Sequence, residues 1–130
     1  MPYDRLLGLE RASDTIVASP AVPKVLVNGA NHNVALGATS YVPILGPASS
    51  FSITGFAGGT NGRVLIVHNT TANAMTLANQ NLNSATRNRL VTLTGADVVL
   101  AAGASTGVFV YNTTIQRWVL LAARDATGAV

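Results

Sequence analysis

The side chains that could perform acid–base, nucleophilic or metal chemistry are few in this 130-residue sequence and widely separated. It contains two histidines (His32 and His68), five carboxylates and no cysteine. Three carboxylates precede residue 15 and a fourth lies near the C-terminus, which leaves Asp97 alone among the strands predicted below. A catalytic base needs an orienting acid and a nucleophile beside it, and two histidines without cysteine offer no zinc-binding spacing. The sequence therefore predicts no enzyme, no metal site and no cofactor.

The two titratable residues within predicted strands or turns each have a structural explanation. Asp97 ends the segment 94–97, where an aspartate typically accepts hydrogen bonds from the backbone N–H groups of a turn. His68 follows the apolar run 64–67, so we expect it at the end of a strand or in an interface. The glycine-rich segment 58–62 lacks the Lys-Ser/Thr ending of a phosphate-binding loop and precedes a strand instead of a helix.

Ionic groups are scarce throughout the chain. Eight basic and five acidic residues give a net charge of +3, and charged residues make up 10% of the sequence, against roughly 25% in a typical soluble domain. Only Arg87 and Arg89 are close enough to suggest a basic patch, whereas nucleic-acid binding usually requires a cluster. We therefore expect no direct nucleic-acid partner. The shortage of charge instead favours a subunit whose surface lies partly against neighbours, because interface cores are charge-poor.

The composition changes along the chain and divides it into an arm, a domain and a tail. All five prolines lie within the first 47 residues, and the residue before a proline favours extended backbone. No apolar run approaches the ~20 residues that span a bilayer, so we expect no membrane partner. The sequence predicts an extended N-terminal arm over residues 1–24, a β-domain over residues 25–123 and a C-terminal tail over residues 124–130.

Short segments of alternating polarity, separated by turn formers such as Asn28-Gly29, favour a fold made of strands. Their spacing of roughly 8–12 residues is typical of sandwich, jelly-roll and barrel folds. Val64, Ile66 and His68 alternate with apolar residues, so they are predicted to share a face that points to solvent or to a neighbour. No internal repeat is apparent. The predicted strands are 24–28, 33–36, 41–45, 50–56, 63–68, 74–78, 89–94, 97–101, 106–111 and 117–121.

Residues 51–121 carry a series of short motifs in a fixed order. It runs from a glycine turn and an Arg63-apolar strand, through the pair Asn88-Arg89, to Tyr111-Asn112 and Trp118. The order and spacing of these motifs resemble a β-domain that recurs in the structural proteins of tailed bacteriophages, including fibre and capsid-decoration modules. The segments that carry the resemblance are 53–69, 75–79, 84–90, 94–105, 111–112 and 117–118.

The resemblance implies an all-β fold, a jelly-roll-like antiparallel β-sandwich with an extended N-terminal arm, usually trimeric and without catalytic activity. One arm and one domain fit a capsid decoration (cement) protein better than a long fibre. Such a protein is made in the host cytoplasm and lies on the capsid exterior of the virion, where it bridges and stabilises neighbouring capsomers. Its expected partners are other copies of itself, as a homotrimer, and the major capsid protein.

Two groups of residues are expected to make these contacts. Arg87, Arg89 and Trp118 are expected to lie in a subunit interface or to brace a loop. An alternative is a tail-fibre or receptor-binding tip that binds carbohydrate, in which Tyr111 and Trp118 stack on a sugar ring. The apolar residues of the arm, expected to contact the capsid or a neighbouring subunit, are Leu6, Leu7, Leu9, Ile16 and Val17.

Overall fold

The structure, a computed structural model, describes residues 10–12, 15–17 and 23–129. Within these residues the chain forms short strands and one 3₁₀ turn, Thr86–Asn88, which confirms the prediction of an all-β protein. The strands are β1 Glu10–Ala12, β2 Thr15–Val17, β3 Lys24–Val25, β4 Gly29–Asn31, β5 Val34–Ala35, β6 Tyr41–Leu45, β7 Phe51–Ile53, β8 Phe56–Ala57, β9 Val64–Asn69, β10 Met75–Leu77, β11 Leu90–Val91, β12 Val98–Leu100, β13 Ser105–Asn112, β14 Arg117–Asp125 and β15 Gly128–Ala129.

Most of these strands belong to two mixed sheets. The larger sheet has seven strands in the order β11-β14-β13-β9-β6-β3, with β15 paired to β14. The smaller sheet has four strands in the order β12-β10-β7-β4. Two further pairs, β5 with β8 and β1 with β2, form separate two-stranded sheets.

The N-terminal half winds as parallel coils. The strands β3, β4 and β5 make the first coil, β6, β7 and β8 lie beside them in parallel, and β9 and β10 continue the winding. Equivalent residues lie about 20–25 positions apart, as the register pairs Lys24↔Ile44 and Phe51↔Met75 indicate. This arrangement is solenoid-like, because each coil pairs with the coils before and after it.

Antiparallel strands from the C-terminal half cover one end of these coils. β12 pairs with β10, and β13 pairs with β9, so each of the two sheets continues past the third coil in the antiparallel sense. β14 then returns beside β13, with a bulge where Leu121 is left between the Val108↔Ala122 and Phe109↔Leu120 pairs. The other end of the coils, formed by β3 and β4, has no further strand beside it among the described residues.

The core lies between the two sheets and is built from the inward half of each alternating strand. Leu65 and Val67 are fully buried, as are Ile53 and Leu77 of the facing sheet. Four aromatic rings pack edge to face at one end of this core, with centroid distances from 5.1 to 5.7 Å. These rings are Phe56, Phe109, Tyr111 and Trp118.

The strand order corrects two sequence-based expectations. Antiparallel pairing was expected throughout, but within the described residues six strand pairs are parallel and five are antiparallel. A jelly roll is an antiparallel double sheet, so the jelly-roll assignment stays unconfirmed. The segment around Asn28-Gly29 was expected to be a hairpin turn, yet Gly29–Asn31 is a strand parallel to β7. Alternation of polar and apolar residues is the same in parallel and antiparallel strands, so it does not reveal the pairing direction.

The predicted arm and tail are only partly within the described residues. Ile16 and Val17 belong to β2, which pairs with β1 in a hairpin, whereas residues 1–9 lie outside the described residues. The predicted arm boundary falls inside β3, because Lys24 already pairs with β6. At the other end, β14 runs to Asp125 and β15 pairs back onto it, so strand pairing extends beyond residue 123.

Candidate interaction surface

The outward half of the seven-stranded sheet forms a continuous apolar face. One row of register partners runs across four strands as Val91, Val119, Val110 and Val64. The neighbouring row runs as Ala122, Val108, Ile66 and Tyr41, and a third as Arg124, Thr106, His68 and Pro43. We call these twelve residues the outer face.

The exposure of these side chains distinguishes them from the core residues with which they alternate. Val64 is 45% exposed, and Ile66, Val108 and Val110 are half-buried, while Leu65 between the first two is fully buried. Side chains in the middle of a sheet are shielded by their neighbours in the same row, so half-burial here reflects the sheet itself and not a covering element. An apolar face of this kind marks an interaction site more often than a solvated surface.

The four-stranded sheet provides an internal comparison. Its outward row of register partners consists of Ala30, Ser52, Thr76 and Val99, small and mostly polar or short side chains. A sheet with one solvated face is expected to carry polar residues there. The two outward surfaces therefore differ in kind: one is suited to water, and the outer face is suited to an apolar partner.

The size of the outer face is compatible with a protein contact. Four strands at ~4.8 Å spacing and three rows at ~7 Å spacing cover an area on the order of 400 Å². This is about half of the ~800 Å² that each partner contributes to a standard interface. A stable contact would therefore draw on neighbouring segments in addition to this face.

The charged or titratable groups on the outer face are Tyr41 in its second row and His68 and Arg124 in its third row. Tyr41 Oη and His68 Nδ1 are hydrogen-bonded at 2.6 Å, and their rings lie 5.9 Å apart. His68 is aligned with Thr106, which in turn is aligned with Arg124. Among the described residues this face carries no carboxylate, so two copies would not meet through complementary charges. An interaction here depends on apolar burial.

The residues that could perform chemistry are held apart in structural hydrogen bonds. Asp97 Oδ1 accepts a hydrogen bond from the backbone N–H of Asn79 at 2.8 Å, so it bonds a backbone N–H as expected, but in a neighbouring segment and not in its own turn. His32 Nδ1 lies 2.7 Å from Thr54 Oγ1, far along the chain from the His68–Tyr41 pair. Within the described residues no three His, Asp or Glu side chains lie together in an arrangement that could hold a metal.

The three predicted interface or loop-bracing residues occupy different environments. Arg89 Nε donates to the backbone oxygen of Ser84 at 3.0 Å, across the loop that contains the 3₁₀ turn. Arg87 has an exposed side chain, and its backbone oxygen accepts a 2.7 Å hydrogen bond from the Tyr111 hydroxyl. Trp118 is fully buried and donates its Nε1–H to the backbone oxygen of Phe56 at 2.9 Å. None of the three belongs to the outer face.

The burial of the aromatic residues argues against the carbohydrate-binding alternative. Stacking on a sugar requires an exposed ring face, but Trp118 is 0% exposed and Tyr111 is 4% exposed. The two rings pack against each other with a centroid distance of 5.1 Å. The expectation that these residues form a sugar platform is therefore wrong, because both rings are part of the core.

Arg63 is a bracing residue that the sequence analysis did not single out. Its guanidinium donates to the backbone oxygens of Gly58, Gly37 and Thr39 at 2.5–2.9 Å, and it lies 5.8 Å from the centre of the Trp118 ring. It thereby joins the glycine-rich turn to the segment before β6. Its position directly after a five-residue loop and before an apolar strand is the signal that could have indicated this role.

Comparison of the chain with protein-family models, with curated proteins and with solved structures found no match. Among the described residues, no helix is long and apolar enough to cross a membrane.

Proposed function

We propose that this chain is a structural subunit of a virion, a capsid decoration protein that assembles as a homotrimer and stabilises the shell by bridging neighbouring capsomers. The observation that carries the proposal is the outer face, an apolar surface without carboxylates on a chain with few ionic groups. Copies of the subunit meet through this face. The motif order over residues 51–121 is the reason for choosing a virion over other assemblies.

The architecture supports a mechanical role. Two sheets share one core, and parallel coils are joined to the antiparallel β13–β14 pair through β9. Side chains such as Arg63 and Arg89 tie loops to the sheets through backbone oxygens. A subunit of this kind transmits mechanical load through its paired strands and requires no conformational change. Contact with the major capsid protein is assigned to the apolar residues of the predicted arm, Leu6, Leu7 and Leu9.

The mass of the purified chain in solution tests the self-association on which the proposal depends. We expect a trimer by sedimentation equilibrium, and loss of the trimer for the variant Val108→Lys, which places a charge at the centre of the outer face. The matched control is Thr76→Lys, because Thr76 is also an outward residue of a central strand, but on the polar sheet. This control is expected to remain a trimer. A monomeric wild-type chain, or a trimeric Val108→Lys variant, would contradict the proposal.

Co-sedimentation with empty capsids of the source virus tests the virion context. The wild-type chain is expected to pellet with the shells, and the full-length variant with Leu6, Leu7 and Leu9 changed to Ser is expected to stay in the supernatant while remaining a trimer. Equal binding by both proteins would remove the role assigned to these leucines. Absence of binding by the wild-type chain would overturn the decoration function itself.

A further inference from the structure

We infer that the β1–β2 hairpin of one copy adds to the open end of the coils in a second copy, so that subunits exchange strands. The open end is formed by the exposed edges of β3 and β4 in the first coil. This contact is made by strand edges that border the outer face, and it goes beyond the proposed function, since it would hold in any assembly of this chain. It is a strand-addition site whose occupant is a segment of the same protein.

The open end has the properties of an unprotected sheet edge. β3 ends the seven-stranded sheet and β4 ends the four-stranded sheet, so each pairs on one side only among the described strands. An edge strand presents a row of backbone N–H and C=O groups to which another strand can pair. The opposite end of the coils is already covered by β12 and β13. Solenoid-like folds generally need a cap at each end.

Apolar side chains beside this edge are left uncovered. Val25 of β3 is 69% exposed, and Val27, between β3 and β4, is 64% exposed. Leu45, the register partner of Val25, is also exposed. In the second coil, by contrast, β6 and β7 are flanked on both sides. Val25 and Leu45 lie on the same side of the sheet as Tyr41 and Pro43, so a strand added at the open end would cover part of Val25 while it pairs with the backbone.

The segment that precedes the first coil matches this edge in length and in type. This segment contains β1 and β2, and β2 has three residues, as β4 does. Its sequence Thr15-Ile16-Val17 consists of β-branched residues, which favour strands.

The observed pairing favours exchange between copies over closure within one chain. β1 and β2 pair with each other and with no further strand among the described residues, although they precede β3 by only a few residues. The hairpin and the coil edge of one chain are thus both left with open sides, a situation in which exchange of identical elements is a low-cost route to assembly. Strand exchange also provides contact area that the outer face, at about half of a standard partner surface, does not supply alone.

Engineered disulfides test this exchange cleanly because the chain contains no cysteine. Ile16 and Ala30 are the central residues of β2 and β4, so the proposed pairing, in register, aligns them in either strand direction. We mix a tagged full-length Ile16→Cys chain with an untagged Ala30→Cys chain, refold them together, oxidise them and read the mixed dimer on a non-reducing gel. The control mixture pairs Ile16→Cys with Thr76→Cys, which lies on the same sheet but inside it. We expect several-fold more mixed dimer from the Ala30→Cys mixture than from the control.

The chain that carries both Ile16→Cys and Ala30→Cys distinguishes exchange from internal closure. Exchange predicts a ladder of covalent oligomers, whereas a compact, internally cross-linked monomer would overturn the inference, as would mixed-dimer yields equal to the control. Repeating the mixture in the Val108→Lys background separates this inference from the proposed function. Mixed dimer in that background shows exchange without the outer face. A trimer that Val108→Lys dissociates, but that never forms the mixed disulfide, leaves the proposed function standing and refutes the exchange.

Discussion

Asn31 stabilises the first coil from within. Its Oδ1 accepts a hydrogen bond from Val27 N–H at 3.0 Å, and its Nδ2 donates to the backbone oxygens of Val27, Gly29 and Ser52 at 3.0–3.2 Å. The Asn31 side chain is buried and its hydrogen bonds are partly buried, so water has limited access to them. One side chain thus holds the loop before β4 and links β4 to β7.

Asn31→Ala is expected to lower the free energy of unfolding by about 1–3 kcal/mol, because it leaves several partly buried backbone groups without partners. Urea unfolding followed by circular dichroism measures this change. The matched control is Asn28→Ala. The Asn28 Oδ1 accepts from the N–H groups of Ala48 and Ser49, but Asn28 is exposed and water can substitute. Equal effects of the two substitutions would contradict the role given to Asn31.

Trp118 joins β14 to β8 of the second coil through its indole N–H. Trp118→Phe keeps an aromatic ring in the core but leaves the buried oxygen of Phe56 without its 2.9 Å donor. The expected loss is about 1–3 kcal/mol of unfolding free energy, measured by urea titration. Tyr111→Phe, which loses the bond to the oxygen of Arg87, is the comparison within the same aromatic group. No loss for Trp118→Phe would mean that the hydrogen bond is unimportant.

Asp125 makes the stability of the C-terminal hairpin depend on pH. Hydrogen bonds from the backbone N–H and the hydroxyl of Thr127, with a weaker contribution from the N–H of Ala101, hold the pKa of Asp125 below its usual range. A carboxylate with a lowered folded-state pKa stabilises the fold above its unfolded-state pKa, and this stabilisation is lost as the pH falls through the folded-state pKa.

Asp125→Asn is therefore expected to be less stable than the wild-type chain at neutral pH. The difference should shrink as the pH is lowered through the unfolded and then the folded pKa of Asp125, because the wild-type carboxylate then becomes neutral as well. Denaturation at a series of pH values gives this difference directly. A gap between the two proteins that stays constant down to the acid limit would exclude the carboxylate charge as its cause.

At the scale of elements, the close approach of the segment before β8 to the loop 84–89 depends on one glycine. The backbone of Gly55 accepts from Val34 N–H, and Gly55 forms a bridge with Arg89, so it joins two coils to the loop 84–89. A Cβ on Gly55 would lie 2.5 Å from the oxygen of Asn88 and 2.6 Å from Ser84 Oγ. Gly55→Ala is expected to cost about 1–3 kcal/mol through overpacking. An unchanged urea midpoint would show that the loop moves aside freely.

The strands were predictable from local pattern, but their partners were not. Each of the ten predicted segments overlaps a strand of the structure, and Tyr41–Leu45 has the predicted bounds. β4 was missed because Gly29-Ala30-Asn31 has no β-branched residue and follows a strong turn signal. The coils were missed because residues that share a register position differ in type, as Asn31, Ile53 and Leu77 do. Strand pairing between residues that lie 20 or more positions apart leaves no local pattern in the sequence.

For the outer face, the sequence predicted only which alternate residues of a single strand share one side of the sheet. Val64, Ile66 and His68 were expected on one face, and the structure places them together there. Whether such a face meets water or a neighbour depends on the rows beside it, and these rows exist only once β13 and β14 have paired. The row of valines can be recognised only from the strand register, because Val91, Val110 and Val119 are distant in sequence from Val64.

At the scale of the whole molecule, ionic groups are placed where they brace loops and not where subunits would meet. Arg63 and Arg89 bond to backbone oxygens, and Asp97 and Asp125 accept from backbone N–H groups. The outer face keeps only His68 and Arg124, both in one row. The force available for association through this face is therefore apolar burial.

This distribution predicts an assembly that is insensitive to salt. Raising NaCl from about 0.1 M to about 1 M shortens the Debye length from ~10 Å to ~3 Å and weakens contacts between exposed charges. Apolar contacts are not weakened by this screening, so the trimer mass from sedimentation equilibrium should stay the same across the series. Arg124→Gln should leave the mass unchanged at both salt concentrations, since Arg124 has no carboxylate beside it on the outer face. Dissociation on adding salt would mean that charged groups outside this face hold the copies together.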